Sequence, residues 1–192
     1  MNRTVRQIRS VPVSFTTRAE EDGNLYIEGY FSVFYALYHL WEGATETVLP
    51  GAFTETLQRE DVRALVDHDT RLVLGRTKAG TLELLEDEKG LWGRIQINPK
   101  DTDAMNLYHR VQRGDVDQCS FGFDIVEEDF QEGPNGTVQW RIKKVVLYEV
   151  SVVTFPAYED TEVTARKQAL EEIQKRKIEV WKNEMKKRFR RS

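Results

Sequence analysis

The sequence has one cysteine, three histidines and no long hydrophobic run, and each shortage excludes a class of protein. The single cysteine, Cys119, cannot form an internal disulfide, which is typical of a protein from a reducing compartment. His39, His68 and His109 form no close-spaced pair of the kind that binds zinc, so we expect neither metal nor cofactor. No apolar run approaches the ~18 residues of a membrane span. The first ten residues carry three arginines without the apolar centre of a signal peptide, so we expect a soluble, intracellular protein.

The charged residues are distributed unevenly along a chain that is long enough for one well-buried domain with an appendage. Of 192 residues, 40% are hydrophobic and 31% are charged. The segment 165–192 holds eleven of the 28 basic and four of the 32 acidic residues, which leaves a net charge of −11 on the first 164 residues. This asymmetry predicts an acidic domain of residues 1–160 and a basic tail of residues 161–192 with a separate role.

Alternation of apolar and polar residues predicts that the domain is rich in β-strands. The clearest candidates are residues 25–34, 62–66, 72–76, 81–85, 90–97, 119–125, 137–145 and 147–155. Residues 35–43 are aromatic but lack a clear period, and we predict a loop there. Residues 127–136 are predicted as an acidic turn.

Three segments have the patterns of helices. A short one follows Pro50 and ends near Arg59. A second begins at the carboxylates of residues 101–103, carries apolar residues at the spacing i, i+3, i+4, i+7 and ends at Gly114. The tail has an interrupted apolar stripe on a basic helix, which most often packs against a parent domain or a partner helix.

The strand around Ser120 offers a candidate nucleophile. A period of two places Cys119 and Phe121 on an apolar face and Ser120 on the opposite, polar face. Gly122 on that polar face leaves room for another backbone or a ligand to approach. If only this strand is considered, Ser120 is more simply interpreted as a solvent-exposed strand serine than as a nucleophile.

Two further segments carry residues suited to acid–base chemistry. His68 leaves a short strand between Asp67 and Asp69, where negative charge can hold one tautomer and raise the basicity of the ring. The alternative interpretation of residues 67–69 is a surface loop in which the histidine lies in a polar turn and has no catalytic role. Glu149 lies inside an otherwise apolar strand, where a carboxylate is costly unless it is paired. It is therefore either an ion-pair partner or a functional acid, and the strand does not decide between them.

Several spaced motifs together resemble one protein family, the prohead (procapsid maturation) proteases of tailed phages. The resemblance covers about residues 10–165. Its motifs are EGYF at 28–31, PGAF at 50–53, DHD at 67–69, LGRT at 74–77, CSFGF at 119–123, EVSVV at 149–153 and PAY at 156–158. The family is related in fold to the herpesvirus assemblins. The resemblance therefore implies a β-rich α+β protein with a closed antiparallel β-barrel surrounded by a few helices, followed by the helical tail.

The resemblance also implies a serine endopeptidase. Ser120 would be the nucleophile, His68 the general base and Glu149 the residue that orients the base. Cys119 is the chemical rival as nucleophile, but its apolar face favours a buried structural thiol. Backbone N–H groups must stabilise the oxyanion, and Arg76 and Arg141 are candidate contributors.

The biology implied by the resemblance is capsid maturation. Such enzymes cut scaffold, or the scaffold-like part of the major capsid protein, and themselves, inside a procapsid in the host cytoplasm. The chain would come from a phage or a prophage in a bacterial genome, and a homo-oligomer is left open. The alternative is a catalytically silent barrel that acts in capsid assembly or scaffold binding. We expect no membrane partner, and the acidic domain disfavours nucleic acid.

Overall fold

The computed structural model describes residues 7–12, 15–21, 23–155 and 160–189. The PAY motif at 156–158 lies outside these ranges. Contacts divide the chain into one unit of Met1–Ala157 and another of Tyr158–Ser192. In the described residues, the first unit contains eleven strands and two α-helices, and the second contains one helix.

The strands of the first unit are as follows. They are β1 (Gln7–Pro12), β2 (Thr16–Ala19), β3 (Leu25–Val33), β4 (Tyr38–Trp41), β5 (Ala44–Val48), β6 (Arg63–Val66), β7 (Asp69–Arg76), β8 (Leu82–Glu86), β9 (Gly90–Ile97), β10 (Gln118–Glu132) and β11 (Val138–Val153). The helices are α1 (Thr54–Arg59), α2 (Thr102–Arg113) and α3 (Asp160–Phe189).

The strands form two sheets. The larger has the order β1-β10-β11-β5-β4, and the smaller has the order β2-β3-β9-β8. The long antiparallel pair of β10 and β11 is the centre of the larger sheet. The first part of β11 pairs in parallel with β5, and its last part, Glu149–Val152, pairs in parallel with β6, which in turn holds β7. The region of residues 149–152 therefore lies between β10 and β6.

The predicted closed barrel is wrong, because the fold is mixed α+β with two open sheets. In the described part of the chain, β1 and β4 lie at the two ends of the main path of the larger sheet, and each pairs with one strand only. Closure needs the outermost strands to pair with each other. Here β11 instead branches, and irregularities in its pairing with β10 at 122–123 and 125–128 alter the course of the hairpin. Alternation of apolar and polar residues predicts where strands are, but it carries little information on which distant strands pair with each other.

The core contains the apolar face predicted for β10. Cys119, Phe121, Phe123 and Ile125 are all buried. The Cys119 thiol lies 3.2 Å from the Tyr30 carbonyl oxygen on β3, so this face of β10 is directed toward the smaller sheet. Burial of these side chains is the main stabilising contribution that β10 makes, and it fixes which residues occupy its other face.

The helices agree with their sequence signals. The Asp101 carboxylate caps α2 by accepting hydrogen bonds from the backbone N–H groups of Asp103 and Ala104. Gly114 ends the helix at a φ of 82°. The four predicted apolar residues of α2 are buried: Ala104, Leu107, Tyr108 and Val111. His109 and His39 are both exposed.

Two local predictions were wrong. The loop predicted at 35–43 contains β4, whose pairing with β5 is irregular between His39 and Trp41. Because of this irregularity, the apolar and polar residues of β4 do not alternate with the period of two that predicts a strand. The acidic turn predicted at 127–136 is mostly strand, since β10 continues to Glu132. The Lys143 ammonium lies 2.7 Å from the Glu127 carboxylate across the strands and offsets part of the acidic charge.

The second unit is the tail helix α3, which is helical as predicted. Glu171 and Lys175 form an i,i+4 ion pair at 3.9 Å. Ile178, Val180 and Trp181 are each more than half exposed. Among the described residues, no helix combines the length and the apolar character needed to cross a bilayer.

Candidate active site

The turn that carries His68 has an unusual backbone. It joins β6 to β7, and Val66 pairs with Asp69, so Asp67 and His68 are the two central residues of a tight hairpin. Their φ angles are 47° and 60°. Positive φ at both positions is the pattern of a type I′ turn, which favours Asn-Gly. An aspartate and a histidine there cost about 1–3 kcal/mol each, and such strain is typical of functional sites.

The turn is attached to the end of β11. The Asp67 N–H donates to the Val152 carbonyl at 3.0 Å. The Asp67 carboxylate accepts from the Thr154 N–H at 2.7 Å and from the Thr154 hydroxyl at 3.2 Å. These bonds hold the tip of the hairpin beside the strand that carries Glu149.

The two carboxylates that flank His68 in sequence do not act on its ring as we predicted. Asp67 is bonded to Thr154, and Asp69 is bonded to Arg71 with the closest N–O distance at 2.6 Å. The Arg71 guanidinium lowers the pKa of Asp69 to about 2. The carboxylate that contacts the imidazole comes from β11, because the side chains of Asp67 and Asp69 are directed to other partners.

Glu149 contacts His68 directly. Glu149 Oε1 lies 2.7 Å from His68 Nδ1, and the carboxylate is almost fully buried. A carboxylate only accepts hydrogen bonds, so the proton of the neutral ring lies on Nδ1 and Nε2 has the free lone pair. In the described residues, the buried Nε2 has no hydrogen-bond partner. This arrangement is suited to a general base that acts through Nε2.

Ser151 completes the surroundings of the carboxylate. Its hydroxyl donates to Glu149 Oε2 at 2.6 Å and lies 3.3 Å from His68 Nδ1. Ser151 was not among the predicted site residues. Its spacing of two residues from Glu149, which places both on one face of the strand, was the available signal.

Ser120 lies on the neighbouring strand, directly opposite Ser151 in the antiparallel register. Opposed residues share a face, with Cβ atoms about 4.5–5.5 Å apart, so Ser120 is on the face that carries Ser151 and Glu149. Ser120 is fully buried, so the interpretation of a solvated serine is wrong. Its hydroxyl donates to the Arg9 carbonyl on β1 at 2.9 Å. In the described chain, no hydrogen bond joins Ser120 to His68.

The remaining candidates lie elsewhere. Arg76 is bonded to Asp61 at the end of the β6–β7 hairpin opposite to His68. Arg141 pairs with Thr47 of β5, eight residues before Glu149 on β11. The described residues contain no cluster of His, Cys, Asp and Glu suited to a metal ion.

Comparison with known proteins agrees with the resemblance. The family model for the caudovirus prohead serine protease matches residues 13–176. The prohead protease of Enterobacteria phage HK97 is 35% identical over 159 residues, which cover 80% of this chain and 65% of that protein. The chain thus spans less than two thirds of that relative. In fold, it is similar to the capsid assembly protease of bacteriophage T4, with a TM-score of 0.51 and 11% identity over 77% of this chain and 96% of that one.

Proposed function

Because the chain belongs to the caudovirus prohead serine protease family, we propose that it is a serine endopeptidase of capsid maturation. Its substrates are scaffold, or the scaffold-like part of the major capsid protein, and the protease itself. The observation that carries the proposal is the bond between His68 and the almost fully buried Glu149 carboxylate, which leaves Nε2 of the ring without a partner among the described residues. Ser120 lies on the face of the sheet that carries Glu149.

The mechanism follows from the roles of these three side chains. His68 Nε2 takes the proton of the Ser120 hydroxyl as Oγ attacks the carbonyl carbon of the substrate. Glu149 accepts the Nδ1–H bond and stabilises the imidazolium that forms. The imidazolium returns its proton to the leaving amine, and an acyl-enzyme remains. Water then attacks the acyl-enzyme with His68 again as base, which releases the acid and restores Ser120.

The Ser120 hydroxyl has to change partner before it reacts. It now donates to the Arg9 carbonyl. We propose that a rotation about its Cα–Cβ bond exchanges this hydrogen bond for one to His68 Nε2. The bond given up is of the neutral kind, worth about 0.5–1.5 kcal/mol net, so the rotation is accessible at ordinary temperature.

Neither Ser151 nor Cys119 suits the role of nucleophile as well. Ser151 donates its proton to Glu149 and lies beside Nδ1, whose proton is held by the same carboxylate. Deprotonation by the ring requires contact with Nε2 instead. Cys119 lies on the opposite face of β10 from Ser120, with its thiol against the backbone of β3 and away from His68.

The place of action follows from the family. The relatives are named a prohead protease and a capsid assembly protease. We propose that this chain likewise acts inside the procapsid, within the host cell.

Co-expression with the major capsid protein of the same phage tests the proposal. Wild type should shorten the capsid protein to defined fragments by mass spectrometry, and Ser120→Ala and His68→Ala should each leave it intact. Cys119→Ala is the matched control and should cleave normally. An intact capsid protein with all four proteins would favour the catalytically silent alternative.

A further inference from the structure

The side chain of Asp67 links the turn that carries His68 to the strand that carries Glu149. Its carboxylate accepts two hydrogen bonds from Thr154, one from the backbone N–H and one from the hydroxyl. Thr154 directly follows β11, five residues after Glu149. The turn that carries His68 is therefore hydrogen-bonded to the end of β11, the same strand that carries Glu149.

The backbone of the turn explains why such a link is needed. Both Asp67 and His68 have positive φ, a conformation that is uncommon for residues other than glycine, although aspartate and histidine adopt it more often than most. A strained conformation persists only when its surroundings determine it. The Asp67 N–H bond to Val152 fixes the start of the turn, and the carboxylate bonds fix its position along β11.

We propose that Asp67 is a positioning residue that holds His68 at Glu149 through Thr154. This inference rests on the proposed function, because it assigns to His68 the role of base. Among the described residues Asp67 makes its hydrogen bonds to Thr154 and Val152 and none to the imidazole, so its effect on the reaction passes through the turn. A displacement of about 1 Å at a catalytic group can cost on the order of 10²-fold in rate.

The other flanking carboxylate, Asp69, provides a matched control. It lies one residue after His68, as Asp67 lies one residue before it, and it also accepts a backbone N–H bond and side-chain bonds. Its partner, however, is the exposed Arg71 on the same hairpin, so Asp69 makes no link to β11. Removal of its carboxylate should leave the position of His68 unchanged.

Asp67→Gly is the informative variant. Glycine adopts positive φ without strain, and the backbone bond to Val152 is kept. The bonds that are lost are exposed to solvent, so the melting temperature should change by only a few degrees. The rate of labelling by a fluorophosphonate probe, which the serine attacks with loss of fluoride, should fall on the order of 10- to 10²-fold.

Two further variants complete the series. Asp67→Asn should recover most of the labelling rate, because asparagine tolerates positive φ and its Oδ1 can still accept from the Thr154 N–H. Asp69→Ala should label at the wild-type rate. In proton NMR spectra, the low-field Nδ1–H signal of His68 should broaden in Asp67→Gly and be unchanged in Asp69→Ala.

The possible failures are distinct. If wild type is not labelled at Ser120, the proposed function fails. If wild type is labelled and Asp67→Gly reacts equally fast with an unchanged Nδ1–H signal, the positioning role of Asp67 is overturned. Equal losses in Asp67→Gly and Asp69→Ala would also overturn it, since general negative charge beside His68 would then explain the effect.

Discussion

At the scale of single residues, the candidate site contains two buried serines that face each other across β10 and β11. Ser120 and Ser151 are both fully buried, and each donates its proton to a defined acceptor. Their acceptors differ, because Ser120 bonds to a backbone carbonyl and Ser151 to the Glu149 carboxylate. This difference supports our proposal that Ser120 reacts with the substrate and that Ser151 supports the Glu149 carboxylate.

Ser151→Ala tests the supporting role. The substitution leaves Glu149 Oε2 without its hydroxyl donor, and a hydrogen bond to a charged group contributes about 1.5–3 kcal/mol. We expect the free energy of unfolding in urea to fall by that amount, and cleavage to slow by about tenfold rather than stop. A complete loss of cleavage in a folded Ser151→Ala protein would contradict this assignment.

At the scale of elements, the β6–β7 hairpin presents His68 at its tip and is closed at its base by Asp61. The Asp61 carboxylate accepts from the Arg76 guanidinium at 2.8 Å, and Thr77 N–H donates to the Val62 carbonyl beside it. Hydrogen bonding to Arg76 lowers the pKa of Asp61 to about 2. The base of the hairpin is thus held by an ion pair that depends on pH.

The sign of this dependence follows from the lowered pKa. In the unfolded chain an aspartate has a pKa of about 3.9. Ionised Asp61 therefore stabilises the fold above about pH 4, and this contribution is lost as the pH falls through about 2. Asp61→Asn should lower the free energy of unfolding at pH 6 and change it much less at pH 2. Glu88→Gln, in the exposed turn before β9, is the control, and equal effects of Asp61→Asn at both pH values would contradict the account.

At the scale of the whole molecule, local patterns were predictable and long-range pairing was not. The apolar face of β10 and the ends of α2 follow from residues within one element. The barrel failed as a prediction because closure depends on which distant strands pair. The hydrogen bond from Thr154 to Asp67 joins residues that are 87 positions apart in the sequence. No sequence motif predicts this contact. The roles proposed for Ser120, His68 and Glu149 came from the family resemblance, because the strand patterns alone left them ambiguous.

The division of the chain leads to a prediction about the tail. Contacts separate Met1–Ala157 from Tyr158–Ser192, and the candidate site residues all lie in the first unit. We expect a protein that ends before Ala165 to keep the strand signal of the full chain in circular dichroism and to label at Ser120. An unfolded spectrum would show that the tail is required for the domain to fold.

The identity of the nucleophile is the central claim, and peptide mapping of the fluorophosphonate adduct tests it most directly. The folded wild-type protein is treated with the probe, digested and sequenced by mass spectrometry. We predict an adduct on Ser120 in wild type and in Cys119→Ala, and none in His68→Ala, because the base is then missing. An adduct on Ser151 instead of Ser120, or equal labelling in His68→Ala, would contradict the account.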